Sequence, residues 1–218
     1  MAGSMRKLYL VRHAESLWNK ERKVQGSCCE VPLSETGRIQ AGLLGGRLKD
    51  LSFGKVYCSD ALRAAQTAEL AIGKDHPVRF SKELRELSLG AWEGRLISEI
   101  EAECPGEIGL WYRNPTQVHI DGGEDMFSFR DRSVRAIEGI VESSGRVNVL
   151  VITHGGIICS YLTHILNMDL DDIWSFSLPN ASITTVVLDF RPRLRSFGDT
   201  SFLDGGAAGL DGMPASQA

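Results

Sequence analysis

The sequence lacks long apolar runs, and none approaches the roughly 18 residues that a membrane-spanning helix requires. It also lacks an excess of positive charge, because 24 Lys and Arg stand against 28 Asp and Glu, for a formal net charge of −4. No secretory signal segment is visible. These absences predict a protein that neither crosses a membrane nor binds nucleic acid.

Cysteine is scarce, and its five residues show no paired C-x-x-C spacing of the kind that holds zinc or forms a redox dithiol. Reduced thiols and a cytoplasmic location are therefore expected. The chain also lacks a Gly-rich loop followed by Lys and Ser or Thr, so nucleotide hydrolysis of the P-loop type is not supported. The cysteines are Cys28, Cys29, Cys58, Cys104 and Cys159.

What the chain does contain is a core-forming share of apolar residues, 43% of 218 residues, which is enough for one globular unit. We predict a single domain over residues 1–203. The segment 204–218 is rich in Gly and Ala with little to bury, and it is predicted to be disordered.

Short β-branched runs alternate with helical patterns along this unit. The predicted strands are 8–11, 55–58, 78–80, 147–153 and 182–190, with a short final strand after Pro192. This alternation predicts an α/β fold, a three-layer sandwich with a mostly parallel central sheet and helices on both faces. The segment 88–123 breaks at Pro105-Gly106 and Asn114-Pro115 and is predicted to form a helical cap excursion.

Two helix starts can be read from capping residues. Ser34 is a plausible N-cap for a helix whose apolar stripe would contain Ile39, Leu43, Leu44 and Leu48. Ser59 is a plausible N-cap for the helix that follows the second strand.

Arg12 and His13 follow the first apolar strand, at the sheet edge where open α/β folds bind ligands. A guanidinium offers phosphate a bidentate fork, and its charge keeps an adjacent imidazole neutral and therefore nucleophilic. Taken alone, the pair fits a polar strand end equally well.

Four more positions point to the same sheet edge. Arg63 falls in the first or second turn of its helix, and His154 ends a fully apolar strand. Gly155 and Gly156 then begin a helix whose free amides suit an anion. A solvated helix residue and a polar strand stop are the structural alternatives. Together, two Arg and two His predict a pocket for a dianion.

These motifs, taken in order, resemble the histidine phosphatase superfamily, also called the phosphoglycerate mutase-like family. The resemblance spans about residues 8–203 and is carried by VRHAESLWN, QGSCCEVPLSETG, SDALRAAQTAE, LRELSLGAWEG, GGED and VITHGG. It implies that His13 is the nucleophile that becomes phosphohistidine and that Glu86 is the proton donor. It further implies a phosphoryl site formed by Arg12, Arg63, His154, Asn19, Gln25 and Gly26.

Two departures from the family pattern are visible. Ala14 replaces the usual Gly of the RHGE motif and demands ordinary backbone angles. Cys28-Cys29-Glu30 stands where a small or polar residue and Asp are common. Neither departure falls on a catalytic position, and both bear on substrate shape.

The resemblance implies a phosphomonoesterase, without metal or cofactor, that acts on a small phosphorylated metabolite. The LGAWEG motif is more similar to the phosphatase branch that includes α-ribazole phosphatases. The alternative is a 2,3-bisphosphoglycerate-dependent mutase, which must hold a second phosphate beside the acidic segment 83–107. A non-catalytic phospho-ligand module is disfavoured, since nucleophile and acid are both present. The sequence leaves the physiological substrate and the oligomeric state open, a homodimer included.

Overall fold

The computed structural model describes residues 5–203, so the predicted disordered tail at 204–218 lies outside the described residues. A six-stranded sheet forms the centre of the molecule. Its strands are β1 Arg6–Arg12, β2 Lys55–Ser59, β3 Val78–Ser81, β4 Val149–Thr153, β5 Ile183–Leu188 and β6 Pro192–Asp199.

The strand order across the sheet is β3-β2-β4-β1-β5-β6. The first four in this order run parallel, whereas β5 pairs antiparallel with β1 and β6 pairs antiparallel with β5. The carboxyl ends of β1, β2, β3 and β4 therefore meet at one edge, which confirms the predicted mostly parallel sheet.

Helices cover both faces of the sheet. They are α1 Leu17–Lys20, α2 Glu35–Leu48, α3 Leu62–Ile72, α4 Ile97–Glu103, α5 Glu107–Arg113, α6 Met126–Ser143 and α7 Gly155–Leu166. Alternate residues of β1 divide between two cores, because successive strand side chains point to opposite faces. Leu8 and Leu10 pack in the cluster with α6 and α7, and Tyr9 and Val11 in the cluster with α2 and α3. The three-layer sandwich is thereby confirmed.

The apolar stripe predicted for α2 is wrong in part. Ser34 does cap the helix, since its side chain accepts from the Gly37 amide, but Ile39 and Leu43 are 53% and 36% exposed. The buried face also carries Gly37 and Gly45, and a Cβ on Gly45 would lie 2.6 Å from a backbone oxygen of α3. Leu44 and Leu48 are buried as predicted, and Gly45 allows α2 to approach α3 closely, so the buried face combines large apolar residues with a small one.

The start of α3 also differs from the prediction. The helix begins at Leu62 with Ala61 as its N-cap, and Ala61 makes no side-chain capping bond. Ser59 remains the last residue of β2, and its hydroxyl accepts a long bond, 3.3 Å, from the amide of Ala61.

The segment 88–123 forms a helical excursion, as the fold prediction requires. It contains α4 and α5 between two short 3-10 turns, Gly90–Trp92 and Pro115–Gln117. Trp92 and Trp111 anchor it in the core beside α6 and α7. Within residues 5–203, no helix has the length and apolar content that would let it cross a membrane.

Candidate active site

A cavity of about 180 Å³ opens at the carboxyl edge of the parallel strands. Arg12 and His13 enter it from the end of β1, Arg63 from the first turn of α3, and Glu86 from the connection after β3. Asn19, Gln25 and Gly26 also line it. Seven of the nine predicted site residues thus share one cavity.

His13 is held in one tautomer by its own backbone. Its Nδ1 lies 2.7 Å from the Ala14 carbonyl oxygen, and a carbonyl only accepts, so Nδ1 carries the proton. Burial lowers the pKa of His13 well below its ordinary value, and the charges of Arg63 and Arg12 lower it further. The imidazole is therefore neutral, with a lone pair on Nε2.

Ala14 fits this geometry despite replacing the family glycine. The non-glycine residues with positive φ in the described part of the chain are Arg22, Asn167 and Ala181, so Ala14 has ordinary backbone angles. Its amide donates to Thr67 Oγ1 at 3.1 Å, which secures the turn after His13.

Two buried guanidinium groups flank His13, and backbone carbonyls hold part of each. Arg12 Nη1 donates to the Leu178 carbonyl, and Arg63 donates to the carbonyls of Cys28 and Gly26, the latter at 2.9 Å. Burial lowers the pKa of Arg63 to about 10, which leaves it charged at neutral pH. The Nε atoms of both Arg residues are buried without a partner among the described residues, which leaves donors available to an anion.

His154 lies behind His13 and does not line the cavity wall. The two ring centroids are 5.2 Å apart, and His154 Nε2 is 2.8 Å from Ser59 Oγ. Its pKa lies well below the ordinary value, chiefly because of burial and then because of Arg63, His13 and Arg12. Its Nδ1 is buried without a partner among the described residues. Ser59, predicted as a helix cap, instead orients this imidazole.

Two backbone amides position the carboxyl group of Glu86. Oε1 accepts from the Leu87 amide and Oε2 from the Gly156 amide, both at 2.9 Å. A Cβ at position 156 would lie 2.3 Å from Oε1, so Gly is needed for this approach. The Gly156 amide, which the sequence analysis predicted to bind an anion, therefore donates to Glu86 instead. Gly155 packs beside Arg12.

The Gln25-Gly26 turn is fixed by a carboxylate from the excursion. Gly26 has φ +52°, and a Cβ there would lie 2.2 Å from Glu93 Oε1. That oxygen accepts from the Ser27 amide, the Ser27 hydroxyl and the Leu89 amide at 2.8 to 3.0 Å. The sequence placed Glu93 among solvated acidic residues and as a fallback for the acid role of Glu86, and its role in this turn was missed, although its place before Gly94 in LGAWEG was a signal.

Asn180 was also missed. Its side-chain amide donates to the His13 carbonyl at 3.1 Å and to Asn19 Oδ1 at 3.2 Å. Asn19 in turn accepts from the Ser16 amide in a capping box at the start of α1. Nothing local in the sequence marks Asn180, because its contacts come from β1 and α1.

The outer wall of the cavity is largely aromatic. Trp92, Trp111 and Trp174 form a chain with ring centroids 5.9 and 5.5 Å apart, and Tyr112 lies beside them. Lys23 adds a cation to this wall, and its ammonium pairs with Glu21 at 2.8 Å.

Comparison with known proteins agrees with this geometry. The family model described as "Histidine phosphatase superfamily (branch 1)" matches residues 8–200. The chain belongs to this superfamily. Membership confirms the resemblance seen in the motifs and makes the protein a phosphatase-type hydrolase.

Individual relatives cover most of the chain. Phosphoserine phosphatase 1 of Hydrogenobacter thermophilus is 32% identical over 188 residues, 86% of this chain and 89% of that protein. Phosphoglycerate mutase-like protein 4 of Arabidopsis thaliana is 36% identical over 157 residues, 70% and 68% of the two chains.

Solved structures show the same histidine phosphatase fold. Bacillus stearothermophilus YhfR superimposes with a TM-score of 0.85 at 31% identity, covering 91% of this chain and 99% of that one. The α-ribazole phosphatase of Shigella flexneri has a TM-score of 0.79 at 27% identity, covering 88% and 96%.

Proposed function

We propose that the protein hydrolyses a small phosphomonoester by transferring its phosphoryl group first to His13 and then to water. The hydrogen bond from His13 Nδ1 to the Ala14 carbonyl carries this proposal, because it leaves Nε2 as the free nucleophilic nitrogen. The cavity that contains His13 also contains Arg12, Arg63 and Glu86. Nucleophile, cationic site and proton donor are therefore assembled in one place.

In the first step, His13 Nε2 attacks phosphorus as the bond from phosphorus to the alcohol oxygen breaks. Arg12 and Arg63, whose donors are only partly used by carbonyls, stabilise the charge on the three equatorial oxygens. Protonated Glu86 gives its proton to the departing oxygen, so an alcohol leaves instead of an alkoxide.

In the second step, water attacks the phosphorus of phosphohistidine. The Glu86 carboxylate takes a proton from this water, and the bond between phosphorus and Nε2 breaks to release inorganic phosphate. His13 returns to its neutral state. The second imidazole, His154, is neutral and packs behind His13 at 5.2 Å between ring centroids, so it supports the nucleophile without adding a cation. Any contact of His154 with the phosphoryl group would have to come from its Nδ1, which has no partner among the described residues.

The proposed reaction needs no metal ion, since the guanidinium pair supplies the charge that a metal would otherwise provide. Within residues 5–203, no group of three or more His, Cys, Asp or Glu is arranged to hold one.

The small number of cations that line the cavity favours hydrolysis over mutase chemistry. A mutase reaction passes through a bisphosphorylated intermediate. The outer wall of a mutase must therefore supply cations that bind the second phosphate. Among the described lining residues, Lys23 is the one cation besides Arg12 and Arg63, and it is paired with Glu21. The leaving group of the substrate would instead lie against Trp92, Trp111 and Trp174.

The test is to trap the intermediate. Wild-type protein mixed with a phosphomonoester and quenched rapidly in alkali should carry acid-labile, alkali-stable phosphate on His13, and His13→Ala should carry none. His13→Ala should also lose all but a few per cent of turnover. Retention of a larger rate by this variant would refute nucleophilic catalysis at His13.

A further inference from the structure

Arg132 lies in the second turn of α6 and reaches the connection that carries Glu86. Its Nη1 donates to the carbonyls of Glu83 and Arg85 at 2.9 and 2.8 Å, and its Nη2 donates to the carbonyl of Glu86 at 3.3 Å. One guanidinium therefore ties three main-chain oxygens of a four-residue stretch.

The guanidinium is itself held in place from its other side. Arg132 Nε and Nη2 donate to the two carboxylate oxygens of Glu124 at 2.9 and 2.7 Å, in a bidentate pair. The side chains of the pair are 18% and 21% exposed. The Phe129 ring lies 5.2 Å below the guanidinium carbon. The guanidinium of Arg132 is therefore held in one position. This pairing also gives the Glu of the GGED motif, Glu124, a structural role.

The other supports of the stretch that carries Glu86 act on its neighbours: Arg85 makes a bidentate pair with Asp60 at 2.6 Å, and Leu84 and Leu87 are buried in the core. The stretch follows the 3-10 turn Lys82–Leu84, and no strand or helix includes Glu86. Thr153 Oγ1 donates to the Leu84 carbonyl at 2.7 Å, which fixes the stretch two residues earlier. At Glu86 itself the main-chain oxygen is held by Arg132, while the carboxyl group depends on the amides of Leu87 and Gly156.

We propose that Arg132, held by Glu124, is a positioning residue that sets the proton-donor geometry of Glu86. This inference rests on the proposed role of Glu86 as general acid. Arg132 acts through the backbone and does not line the cavity described above. Misplacing a catalytic group by about 1 Å is enough to lower a rate by about 10²-fold.

The diagnostic variant is Arg132→Lys, because an ammonium cannot span three carbonyls and a carboxylate as a planar fork does. Proton donation matters for an alkyl phosphate, whose leaving group is a strongly basic alkoxide, and matters little for p-nitrophenyl phosphate. We expect Arg132→Lys to slow single-turnover phosphorylation by the alkyl ester about 10²-fold. The burst of nitrophenolate should stay within about twofold of the wild-type rate.

A double-mutant cycle with Glu86→Gln separates positioning from general structural damage. If Arg132 acts through Glu86, Arg132→Lys should have little further effect on the alkyl ester once Glu86 is Gln. A merely structural role would lower both substrates alike and would add to the effect of Glu86→Gln. Either of these two results would overturn the proposal, as would an unchanged alkyl-ester rate in Arg132→Lys.

Matched variants guard against misfolding. Arg130→Lys changes an exposed arginine of the same helix, which pairs with Asp131, and should leave both rates unchanged. Glu124→Gln keeps Arg132 but removes the charge that holds its guanidinium. This variant should show a smaller loss of the alkyl-ester rate and an unchanged nitrophenolate burst.

Failure of the proposed acid role of Glu86 would give a different result from failure of the positioning role of Arg132. If Glu86→Gln itself slowed both esters equally, Glu86 would not be the acid. A crystal structure of Arg132→Lys would then decide the positioning claim alone. Loss of the bond between Glu86 Oε2 and the Gly156 amide would support the claim, and its retention would refute it.

Discussion

The two neutral, buried histidines make the stability of the fold depend on pH. Burial, followed by nearby positive charge, holds the pKa of both His13 and His154 well below the ordinary value. In the unfolded chain each has a pKa of about 6.5. Below pH 6.5 the unfolded state therefore binds protons that the folded state does not, and stability falls as pH falls. Above that pH the two histidines contribute no slope.

The size of the effect follows from proton linkage. Each histidine contributes a slope of at most about 1.4 kcal/mol per pH unit, so the pair contributes up to about 2.7. From pH 6.5 to 5, the loss is at most about 3.3 kcal/mol for the pair, a large share of the usual 5 to 15. Carboxylates such as Asp60, whose pKa is lowered by its bond to Arg85, lose their contribution only below about pH 4. The window between pH 5 and 6.5 therefore reports on the histidines.

The measurement is urea unfolding at half-unit steps from pH 7.5 to 5, in buffer free of phosphate, because an anion bound to the folded state would add stability. The matched control is His13→Asn combined with His154→Asn, which retains the other three histidines. Its absolute stability will differ, so the comparison is between slopes. We expect the wild-type slope to be steeper by up to about 2.7 kcal/mol per pH unit. Equal slopes would refute the neutral, buried state of the pair.

Two predictions concern the reaction. Exhaustive treatment with a chelator should leave the hydrolysis rate unchanged, because in the proposed mechanism Arg12 and Arg63 provide the charge at the phosphoryl site; a loss that added magnesium or zinc restores would contradict this account. With 3-phosphoglycerate and 2,3-bisphosphoglycerate, inorganic phosphate should appear faster than 2-phosphoglycerate, since the one further cation among the described lining residues, Lys23, is already paired with Glu21 and is a weak site for a second phosphate; isomerisation exceeding phosphate release would reverse the choice of function.

The sheet and the inner cavity were predictable because both follow from short-range patterns. A fully apolar strand such as Val149–Thr153 must be buried on both faces, which requires a parallel arrangement with helices on either side. Polar residues directly after such strands then meet at one edge. This is why Arg12, His13 and Arg63 could be brought together before any coordinates were known, with His154 close behind.

The predictions that failed, and the residues that were missed, depend on contacts between residues far apart in the sequence. The face of α2 depends on how closely α3 approaches Gly45, and a hydrophobic stripe does not contain that information. Ser59 caps a helix in the sequence-based interpretation, yet it bonds His154, which is 95 residues away. Arg132 and Asn180 likewise act on backbone 46 and 167 residues distant, at Glu86 and His13.

Cys28-Cys29 departs from the family sequence pattern, and the structure shows which atoms of this segment contact the site. Arg63 bonds the carbonyl oxygens of Gly26 and Cys28, and Cys29 Sγ turns to the Ser27 carbonyl at 3.2 Å. The hydrogen bonds of Arg63 therefore depend on the path of this backbone and not on the side chains of residues 26 and 28.

Backbone path matters here because burying a cation without compensation is costly. Burial lowers the pKa of both Arg12 and Arg63, and the nearby charge of Glu86 opposes this lowering in part. Carbonyl dipoles offset a further part of the cost of burying the two cations. The partnerless Nε atoms show that the compensation is incomplete. In the proposed function, a phosphoryl dianion bound between the two guanidiniums would complete it, so the same unmet charge that costs the fold stability would provide affinity for the substrate.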